Sequence, residues 1–296
     1  MQLDIGLRLS QTFYSLFPPD GVAVIDRDWD NLLILDACRY DSFVDASNLP
    51  GETTRRTGVA ATTDEFVRLN FDQETHHDTV YVTGNPRVNL NTEPDRFHDV
   101  INVWEDGWDE SAQTVLPETM TEAALTAAEM HSDKRLVVHY VQPHAPFVGP
   151  TSDEIPSHST QSDHRKLARG RSANDDTENV WDLLKRGVVS RDTVARAYEE
   201  NVSLVLNEVS KLTRQLQGKT AVTADHGTLL GERVPPLFSR MYGHPVGIYP
   251  KALVELPWHV VENGSRKKVT TTPPQSRDDR GRDDVVDSRL NDLGYL

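Results

Sequence analysis

The sequence predicts an α/β fold with a doubly wound, mostly parallel central sheet and helices on both faces. Short apolar runs alternate with longer amphipathic stretches, and runs that are apolar on both faces are typical of strands buried between two helix layers. The runs lie at 22–25, 32–35, 79–83, 99–103, 135–141, 219–224 and 252–256. Ligands of such sheets gather at the carboxyl ends of the strands, so functional residues are expected there.

The predicted helices are bounded by capping and proline signals. They cover residues 5–17, 117–131 and 190–217. The first ends at Pro18 and Pro19, the second begins at Pro117, and Ser190 is a good N-cap for the third, with Gly218 expected just beyond its end. The first helix also leaves open a weak contact with a membrane or a partner.

The chain is predicted to form one catalytic domain with a tail. Residues 1–262 form the α/β domain, in which the polar stretch 150–178 is expected to be a loop over the site. Residues 263–282 are a polar linker, and residues 283–296 form a terminal helix that docks on the body through Val285, Val286, Leu290 and Leu293.

The charge of the chain limits its partners. It carries 46 acidic and 31 basic residues, a formal net charge of −15. This field repels nucleic acid and anionic lipid, so neither is expected as a partner unless metal ions or a local arginine cluster reverse it. The excess of acids also predicts a halophilic source, because acidic side chains keep a surface hydrated in high salt.

Further composition signals concern the compartment. Cys38 is the single cysteine, which excludes an internal disulfide and fits a reducing compartment. The first residues lack the continuous apolar stretch of a signal peptide, and no run approaches the length of a membrane span. We therefore expect a cytoplasmic protein without an integral membrane segment, and the oligomeric state stays open.

Two aspartates end apolar runs and are the candidate metal ligands. Asp36 directly follows the run 32–35, and Asp225 follows KTAVTA with His226 and Gly227 behind it. A buried carboxylate without a partner costs several kcal/mol, and a divalent cation removes that cost. Asp36, Asp225 and His226 are thus predicted to hold one or two divalent ions, manganese, zinc or calcium. For Asp36 alone, helix capping is the alternative.

Other polar side chains are predicted to surround this centre. His144 stands between two prolines and His244 between a glycine and a proline, which aims each imidazole for catalysis or ligation. His139 lies within a predicted strand, where a substrate-binding histidine and a hydrogen-bonded core histidine are both open. Asn85 follows another strand, either at the pocket floor or in a simple turn.

Taken together, these motifs resemble the sulfatase branch of the alkaline phosphatase superfamily. The pattern strand-D-x-x-R-x-D is matched by Asp36, Arg39 and Asp41, and it is followed by PHAPF, by TADHG-x-x-x-GE, by a Gly-His loop and by RLNDLGYL at the end. The resemblance covers nearly the whole chain. It implies a parallel-sheet α/β fold and a metal-activated nucleophile that attacks sulfur or phosphorus.

The nucleophile departs from the sulfatase pattern. No C/S-x-P-x-R sequence follows the first strand, and nothing near Cys38 marks its thiol as activated, so a formylglycine mechanism is not expected. Phosphatases and phospho-group transferases of the superfamily use Ser or Thr at a helix N-terminus. Thr62 and Thr63 open such a helix, although Thr62-x-x-Glu65 is also a capping box. Thr63 is favoured, because a cap at Thr62 leaves its neighbour's hydroxyl free.

The predicted function is a metal-dependent hydrolase of sulfate or phosphate esters. Thr63 or Thr62 attacks, His144 and His244 assist, and Arg39, His139 and Asn85 bind substrate. The substrate is a small-molecule, glycan or lipid ester. The alternatives are a phospho-group transferase or phosphodiesterase, and a non-catalytic binder of sulfated or phosphorylated glycans.

Overall fold

A computed structural model describes residues 5–156, 161–171 and 179–274 of the chain. Its strands are β1 (Asn31–Leu35), β2 (Glu52–Thr57), β3 (His76–Thr83), β4 (Phe97–Asn102), β5 (Trp108–Asp109), β6 (Thr114–Val115), β7 (Arg135–Tyr140), β8 (Gly218–Thr223), β9 (Leu229–Val234), β10 (Ser239–Gly243) and β11 (Glu255–Asn263). Its α-helices are α1 (Ile5–Ser15), α2 (Tyr40–Ala46), α3 (Thr63–Phe71), α4 (Val88–Asn91), α5 (Val103–Asp106), α6 (Pro117–Met130), α7 (Gln161–Ala168), α8 (Val180–Lys185), α9 (Arg191–Thr213) and α10 (Lys251–Val254). Short 3₁₀ helices lie at Pro94–Arg96 and Pro150–Glu154.

Within these residues, seven strands form one sheet in the order β2-β11-β8-β1-β7-β3-β4. The five strands from β8 to β4 pair in parallel, and β11 runs antiparallel to both of its neighbours. The strand β1 is the fourth of the seven strands, at the centre of the sheet, and is buried along its whole length. This confirms the predicted mostly parallel α/β sheet.

Helices cover both faces of the sheet. Leu33 and Leu35 of β1 belong to a large apolar core with side chains of α6 and α9. Leu32 and Ile34 of the same strand point the other way and pack in a second core with Phe66 of α3. Because successive residues of a strand face opposite sides, one apolar run supplies both cores, which is the doubly wound arrangement that the sequence predicts.

The predicted helices are present with shorter ends. Helix α1 ends at Ser15, and α6 ends at Met130. In α9 the Ser190 side chain accepts a hydrogen bond from the Thr193 amide, as expected of an N-cap, but the helix stops at Thr213. Gly218 instead opens β8 with a φ of 93°, where a Cβ atom would lie 2.3 Å from Asp30 Oδ2.

Two strand predictions are wrong in detail. Residues 22–25 form no strand: the Val24 amide donates to Asn70 Oδ1, and Val24 and Ile25 pack against the second core as an irregular segment. The run 252–256 begins as α10 and only then enters β11, because Pro250 opens a helical turn. The strands β2, β9 and β10 are not among the predicted strands, because their residues are too polar to form apolar runs.

The segment after β11 is held against the body as far as it is described. Arg266 forms ion pairs with Asp28 and Asp30, and the Thr270 amide donates to Asp133 O. The predicted linker 263–282 is described only to residue 274, and the predicted helix 283–296 lies outside the described residues, so both stay predictions. Of the stretch 150–178, the described parts form the Pro150–Glu154 turn and α7. Among the described helices, none has both the length and the apolarity that a membrane span requires.

Candidate metal and nucleophile centre

Three buried ligand side chains meet at the carboxyl edge of the sheet. Asp36 directly follows β1, Asp225 follows β8, and His139 lies on β7, so they come from three adjacent strands. Their ligand atoms all lie within 4.8 Å of one another. His226 joins them, with its Nε2 atom 3.6 Å from Asp36 Oδ1 and 3.4 Å from Asp225 Oδ2. The structure thus brings together the three predicted metal ligands, and it adds His139.

The backbone around these side chains holds them in place. Ala37 has a φ of 62°, and its amide donates to Asp225 Oδ1. Gly227 leaves no room for a side chain, since a Cβ atom there would lie 2.0 Å from Ala252 O. Positive φ at a non-glycine residue is a conformation found mainly where surrounding contacts impose it, often at functional sites. These contacts fix the carboxylates before any ligand arrives.

The ligand set fits a divalent cation. Within the described residues, Asp36 Oδ1 and His139 Nε2 are buried without a hydrogen-bond partner. The other atoms of these side chains are engaged, since Asp36 Oδ2 accepts from Asn85 Nδ2 at 2.6 Å and His139 Nδ1 contacts the Tyr81 hydroxyl at 2.9 Å. Buried polar atoms without partners are costly, whereas a cation between them would satisfy both. Oxygen and imidazole donors together suit zinc or manganese.

The electrostatics of the two carboxylates lead to the same conclusion. Burial and the neighbouring charge of Asp225 raise the pKa of Asp36 well above its ordinary value. Burial also opposes ionisation of Asp225, but His226 and His139 outweigh it and lower the pKa of that carboxyl. Two buried carboxylates cannot both ionise cheaply without a counter-charge, so metal binding would release the proton that Asp36 otherwise holds.

The two neighbouring threonines have different contacts, one in helix capping and the other with the candidate metal ligands. Thr62 is the N-cap of α3, and its side chain accepts from the Glu65 amide. Thr63 Oγ1 donates to Asp225 Oδ2 at 2.8 Å and lies 3.4 Å from His226 Nε2. Thr63 therefore stands at the N-terminus of a nine-residue helix, where free amides and the helix dipole favour negative charge.

A pair of histidines stands on the other side of the centre. His144 Nε2 and His244 Nε2 are 2.9 Å apart, and the ring centroids of His226 and His244 are 4.6 Å apart. Burial and the nearby His226 lower the pKa of His144 to about 4 and that of His244 well below its ordinary value. Both rings are therefore neutral near pH 7, and one of the two Nε2 atoms carries the hydrogen that they share.

A cleft of about 420 Å³ opens over this centre. Its polar end is lined by Asp36, Thr63, Asn85, His144 and His244, and its other walls include Leu7, Trp181, Lys185, Tyr242 and Val246. Asn85 reaches the site through its hydrogen bond to Asp36, so it is not only part of a turn. His139 is buried beneath the ligands rather than in the cleft wall, which places it nearer to metal binding than to the predicted substrate contact.

Arg39 is not brought to the cleft. Its guanidinium donates to Asp41 and Glu232 at 2.6–2.8 Å and to Thr228 O at 3.1 Å, on the far side of the first loop. The structure does not bring Arg39 together with the other predicted site residues, and two carboxylates already neutralise its charge, so its role as a substrate clamp stays a prediction. The motif residues Arg39, Asp41 and Glu232 instead tie the loop after β1 to the hairpin.

Sequence reasoning missed the arginine that does line the cleft. Arg87 donates through Nε to Asp64 Oδ1 at 2.7 Å, and its Nη1 contacts His164 Nε2 at 3.1 Å. Asp64 directly follows Thr63, so Arg87 joins α3 to α7. The signal was available in GNPRVN, two residues beyond Asn85, but a lone arginine in a turn is usually solvated.

Comparisons with known proteins bear on the fold. No protein-family model and no curated protein matches the sequence. Among solved structures, the C-terminal periplasmic domain of the phosphoethanolamine transferase EptC from Campylobacter jejuni is 12% identical over 79% of this chain and 78% of that one, with a TM-score of 0.51.

Two other structures are more distant in shape. The integral membrane lipooligosaccharide phosphoethanolamine transferase A from Neisseria meningitidis is 14% identical over 78% of this chain, with a TM-score of 0.48, and the chain spans 46% of its length. A protein of the alkaline phosphatase superfamily from Vibrio parahaemolyticus is 13% identical over 88% of this chain and 69% of its own, with a TM-score of 0.40. The chain shares the fold of the EptC periplasmic domain, and that fold agrees with the mostly parallel α/β sheet that the sequence predicts.

Proposed function

We propose that the chain is a metal-dependent enzyme that takes a phosphoryl or sulfuryl group from an ester through a covalent intermediate on Thr63. The observation that carries this proposal is the position of Thr63 Oγ1, 2.8 Å from Asp225 Oδ2 in a centre where Asp36 Oδ1 has no hydrogen-bond partner among the described residues. A hydroxyl in that position faces both a proton acceptor and the buried ligand cluster, at the start of a helix. Helix capping accounts for the hydrogen bond of Thr62, but it does not account for the position of Thr63 beside Asp225.

The chemistry of each side chain follows from its contacts. Asp36, Asp225, His226 and His139 would hold the cation. When bound, the cation supplies positive charge that lowers the pKa of the Thr63 hydroxyl and polarises the ester. The hydrogen bond to Asp225 directs the free lone pairs of the Thr63 oxygen into the cleft.

Attack by Thr63 forms the bond from Oγ1 to phosphorus or sulfur and breaks the bond to the ester oxygen. That oxygen leaves with the bonding electron pair and takes up a proton, either the one that Thr63 loses through Asp225 Oδ2 or one from water. The neutral pair of His144 and His244 keeps its hydrogen and offers it to the leaving oxygen as a hydrogen bond. Attack by water or by an acceptor alcohol then frees Thr63. Water completes a hydrolysis, and an alcohol completes a group transfer.

Transfer is included because of one observation beyond the site. The structure of similar fold with the TM-score of 0.51 is a domain of a phosphoethanolamine transferase. Hydrolysis and transfer share every residue described above and differ only in the acceptor. We therefore propose the shared first half-reaction and leave the acceptor to the assay.

The test is a turnover assay with zinc, manganese or calcium and with 4-nitrophenyl sulfate, 4-nitrophenyl phosphate and bis(4-nitrophenyl) phosphate, in high salt. Removing the nucleophile in Thr63→Ala is expected to lower kcat by about 10³-fold or more. Thr63→Ser keeps a hydroxyl and should retain most of the rate, and Thr62→Ala is the matched control, because it removes only the cap. Unaltered turnover in Thr63→Ala overturns the proposal.

Two readouts separate the acceptors and the non-catalytic alternative. With a phosphodiester, mass spectrometry of the quenched enzyme should find the transferred group on the peptide that contains Thr63. A rise in nitrophenol release with added glycerol or ethanolamine, with the esterified alcohol as product, indicates transfer. Absence of turnover with every metal and every ester, in protein that binds zinc, overturns the enzymatic proposal in favour of a binding protein.

A further inference from the structure

One exposed surface of the protein is unusually apolar. It consists of three outward residues on and just after α1, two at the tip of the hairpin of β9 and β10, and one on the loop after β10: Ile5, Leu9, Leu16, Leu237, Phe238 and Val246. We call these six residues the α1–hairpin face. Each of them is between 42% and 71% exposed. Single exposed apolar side chains are ordinary, but a contiguous set of large ones marks an interaction surface.

The three segments that carry the face are in direct contact. Ser10 Oγ of α1 donates to Pro235 O at the hairpin tip at 2.7 Å, and Gln11 Nε2 donates to Val246 O at 2.9 Å. Ser10 and Tyr14 are buried and anchor the inner side of α1. Ile5 and Leu9 are four residues apart on α1 and project from the opposite side of the helix, and the exposed Leu16 directly follows the helix.

Positive charge accompanies this face. Arg233 and Arg240 stand directly opposite each other in the register of the hairpin, and both are exposed. Their guanidinium groups donate to the backbone carbonyls of Phe238 and Gly231, and in the described part of the chain neither has an acidic partner. Arg8 on α1 is exposed and likewise has no ion pair among the described residues.

Like charges directly opposite on neighbouring strands are destabilising unless an anion lies between them. In a chain of formal net charge −15, the three arginines form a local exception with no acid of the described part paired to them. The facing pair of Arg233 and Arg240, on the hairpin that contacts α1, is a local concentration of positive charge that can attract an anionic surface.

The face is also continuous with the cleft. Val246 belongs to both, and Leu7 of α1 lines the cleft together with Thr63. A flat partner lying on the face would therefore stand at the mouth of the cleft. A second copy of the chain fits less well, because a symmetric dimer through this face would bring the arginines of the two copies together.

We propose that the α1–hairpin face docks on a lipid bilayer that carries anionic headgroups. The apolar side chains enter the boundary between headgroups and acyl chains, and Arg8, Arg233 and Arg240 contact the headgroup phosphates. The docking surface is independent of the proposed catalysis, since none of its six residues is a proposed ligand or nucleophile.

The experiment measures co-sedimentation of the full chain with large vesicles of phosphatidylglycerol and phosphatidylcholine in equal parts, and with pure phosphatidylcholine. The wild type is expected to partition at least tenfold more strongly onto the anionic vesicles. Leu16→Ser/Leu237→Ser removes apolar insertion and Arg233→Gln/Arg240→Gln removes charge, and each should reduce partitioning by about tenfold. The binding of the arginine variant should also depend less on salt.

The matched control is Leu69→Ser/Met130→Ser, which removes two side chains of similar exposure away from the face. It should bind anionic vesicles like the wild type. Circular dichroism melts of all variants check that each is folded. Equal binding to neutral vesicles, or wild-type binding by the two face variants, overturns the proposal. The proposal is also overturned if neither protein binds vesicles and light scattering finds that the wild type is a dimer while Leu16→Ser/Leu237→Ser is a monomer.

Discussion

Replacing Asp36 with asparagine is expected to strengthen the metal-free fold while abolishing metal binding. Asp36 is buried, its Oδ1 has no hydrogen-bond partner in the described residues, and the charge of Asp225 stands beside it. An asparagine keeps an acceptor for Asn85 Nδ2, and its amide can donate toward His226 Nε2, which lies 3.6 Å from Oδ1. The substitution therefore removes the cost of keeping a buried carboxyl protonated, without leaving a new gap.

The size of the effect depends on pH. Burial and Asp225 raise the folded-state pKa of Asp36, so the native chain keeps a proton that the unfolded chain releases above a pKa of about 3.9. The metal-free wild type thus loses stability as the pH rises above that value, by about 1.4 kcal/mol per pH unit until the folded-state pKa is passed. Asp36→Asn lacks this loss, and its advantage grows with pH.

Zinc should act in the opposite direction. At a hundredfold excess over Kd, a ligand that binds only the folded state adds about 2.7 kcal/mol. A chain of 296 residues has an unfolding entropy of about 0.6 kcal/mol/K, so the wild type should gain about 4 °C in Tm. Asp36→Asn loses a charged ligand and should show no such gain.

Thermal melts with EDTA or with zinc, at values from about pH 5 to pH 8, measure both effects in one experiment. Asp45→Asn is the control, because Asp45 is an exposed carboxylate on α2 and should change neither the pH dependence nor the zinc shift. A metal-free Asp36→Asn variant that melts below the wild type at pH 7, or one that keeps the zinc shift, would refute the reasoning.

Three further predictions follow from the packing and the charges. Leu33→Ala empties a fully buried position at the centre of β1 and should cost about 2–5 kcal/mol in urea unfolding. Arg39→Gln leaves Asp41 and Glu232 without the guanidinium that pairs with them. It should lower the free energy of unfolding by only about 1–2 kcal/mol, because solvent screens Asp41. The KM for small esters should change by less than about threefold, because Arg39 does not line the cleft. Burial and a neighbouring arginine lower the pKa of His164 to about 4. The unfolded chain therefore takes up a proton below about pH 6.5 that the folded chain does not, and the wild type loses stability as the pH falls. His164→Gln should reduce this loss by about 1.4 kcal/mol per pH unit, measured by denaturant titration.

The parallel core and the ligand cluster were accessible from sequence because both depend on local patterns. A buried parallel strand has to be apolar on both faces, so β1, β3, β7 and β8 can be recognised in the sequence as apolar runs. A carboxylate directly after such a strand can only lie at the carboxyl edge of the sheet. Asp36 and Asp225 were therefore placed near each other although 188 residues separate Ala37 from the Asp225 carboxylate to which it donates.

The antiparallel edge and the walls of the cleft were not accessible in this way. The sequence ETTRRT of β2 is largely exposed, and only its pairing with β11 makes it a strand. Arg39 and Arg87 are both arginines in loops after strands, and nothing local tells which one faces the cleft. Arg39 is held away from the cleft by its ion pairs with Asp41 and Glu232. Arg87 is held at the cleft in part by His164 of α7, and no sequence motif predicts the position of α7.

The same contrast explains how the two halves of the site can change independently. The end that carries the candidate metal ligands depends on the ends of adjacent strands and on the N-terminus of α3, where a shift of one residue would put Thr62 in the place of Thr63. The far end is lined by residues of α1, α8 and the loop after β10. Substitutions in α8, such as Trp181→Ala, should thus alter KM among esters of different leaving groups while the metal-induced shift in Tm stays unchanged. Loss of the zinc-induced shift in Tm in Trp181→Ala would show that the two ends of the cleft are coupled.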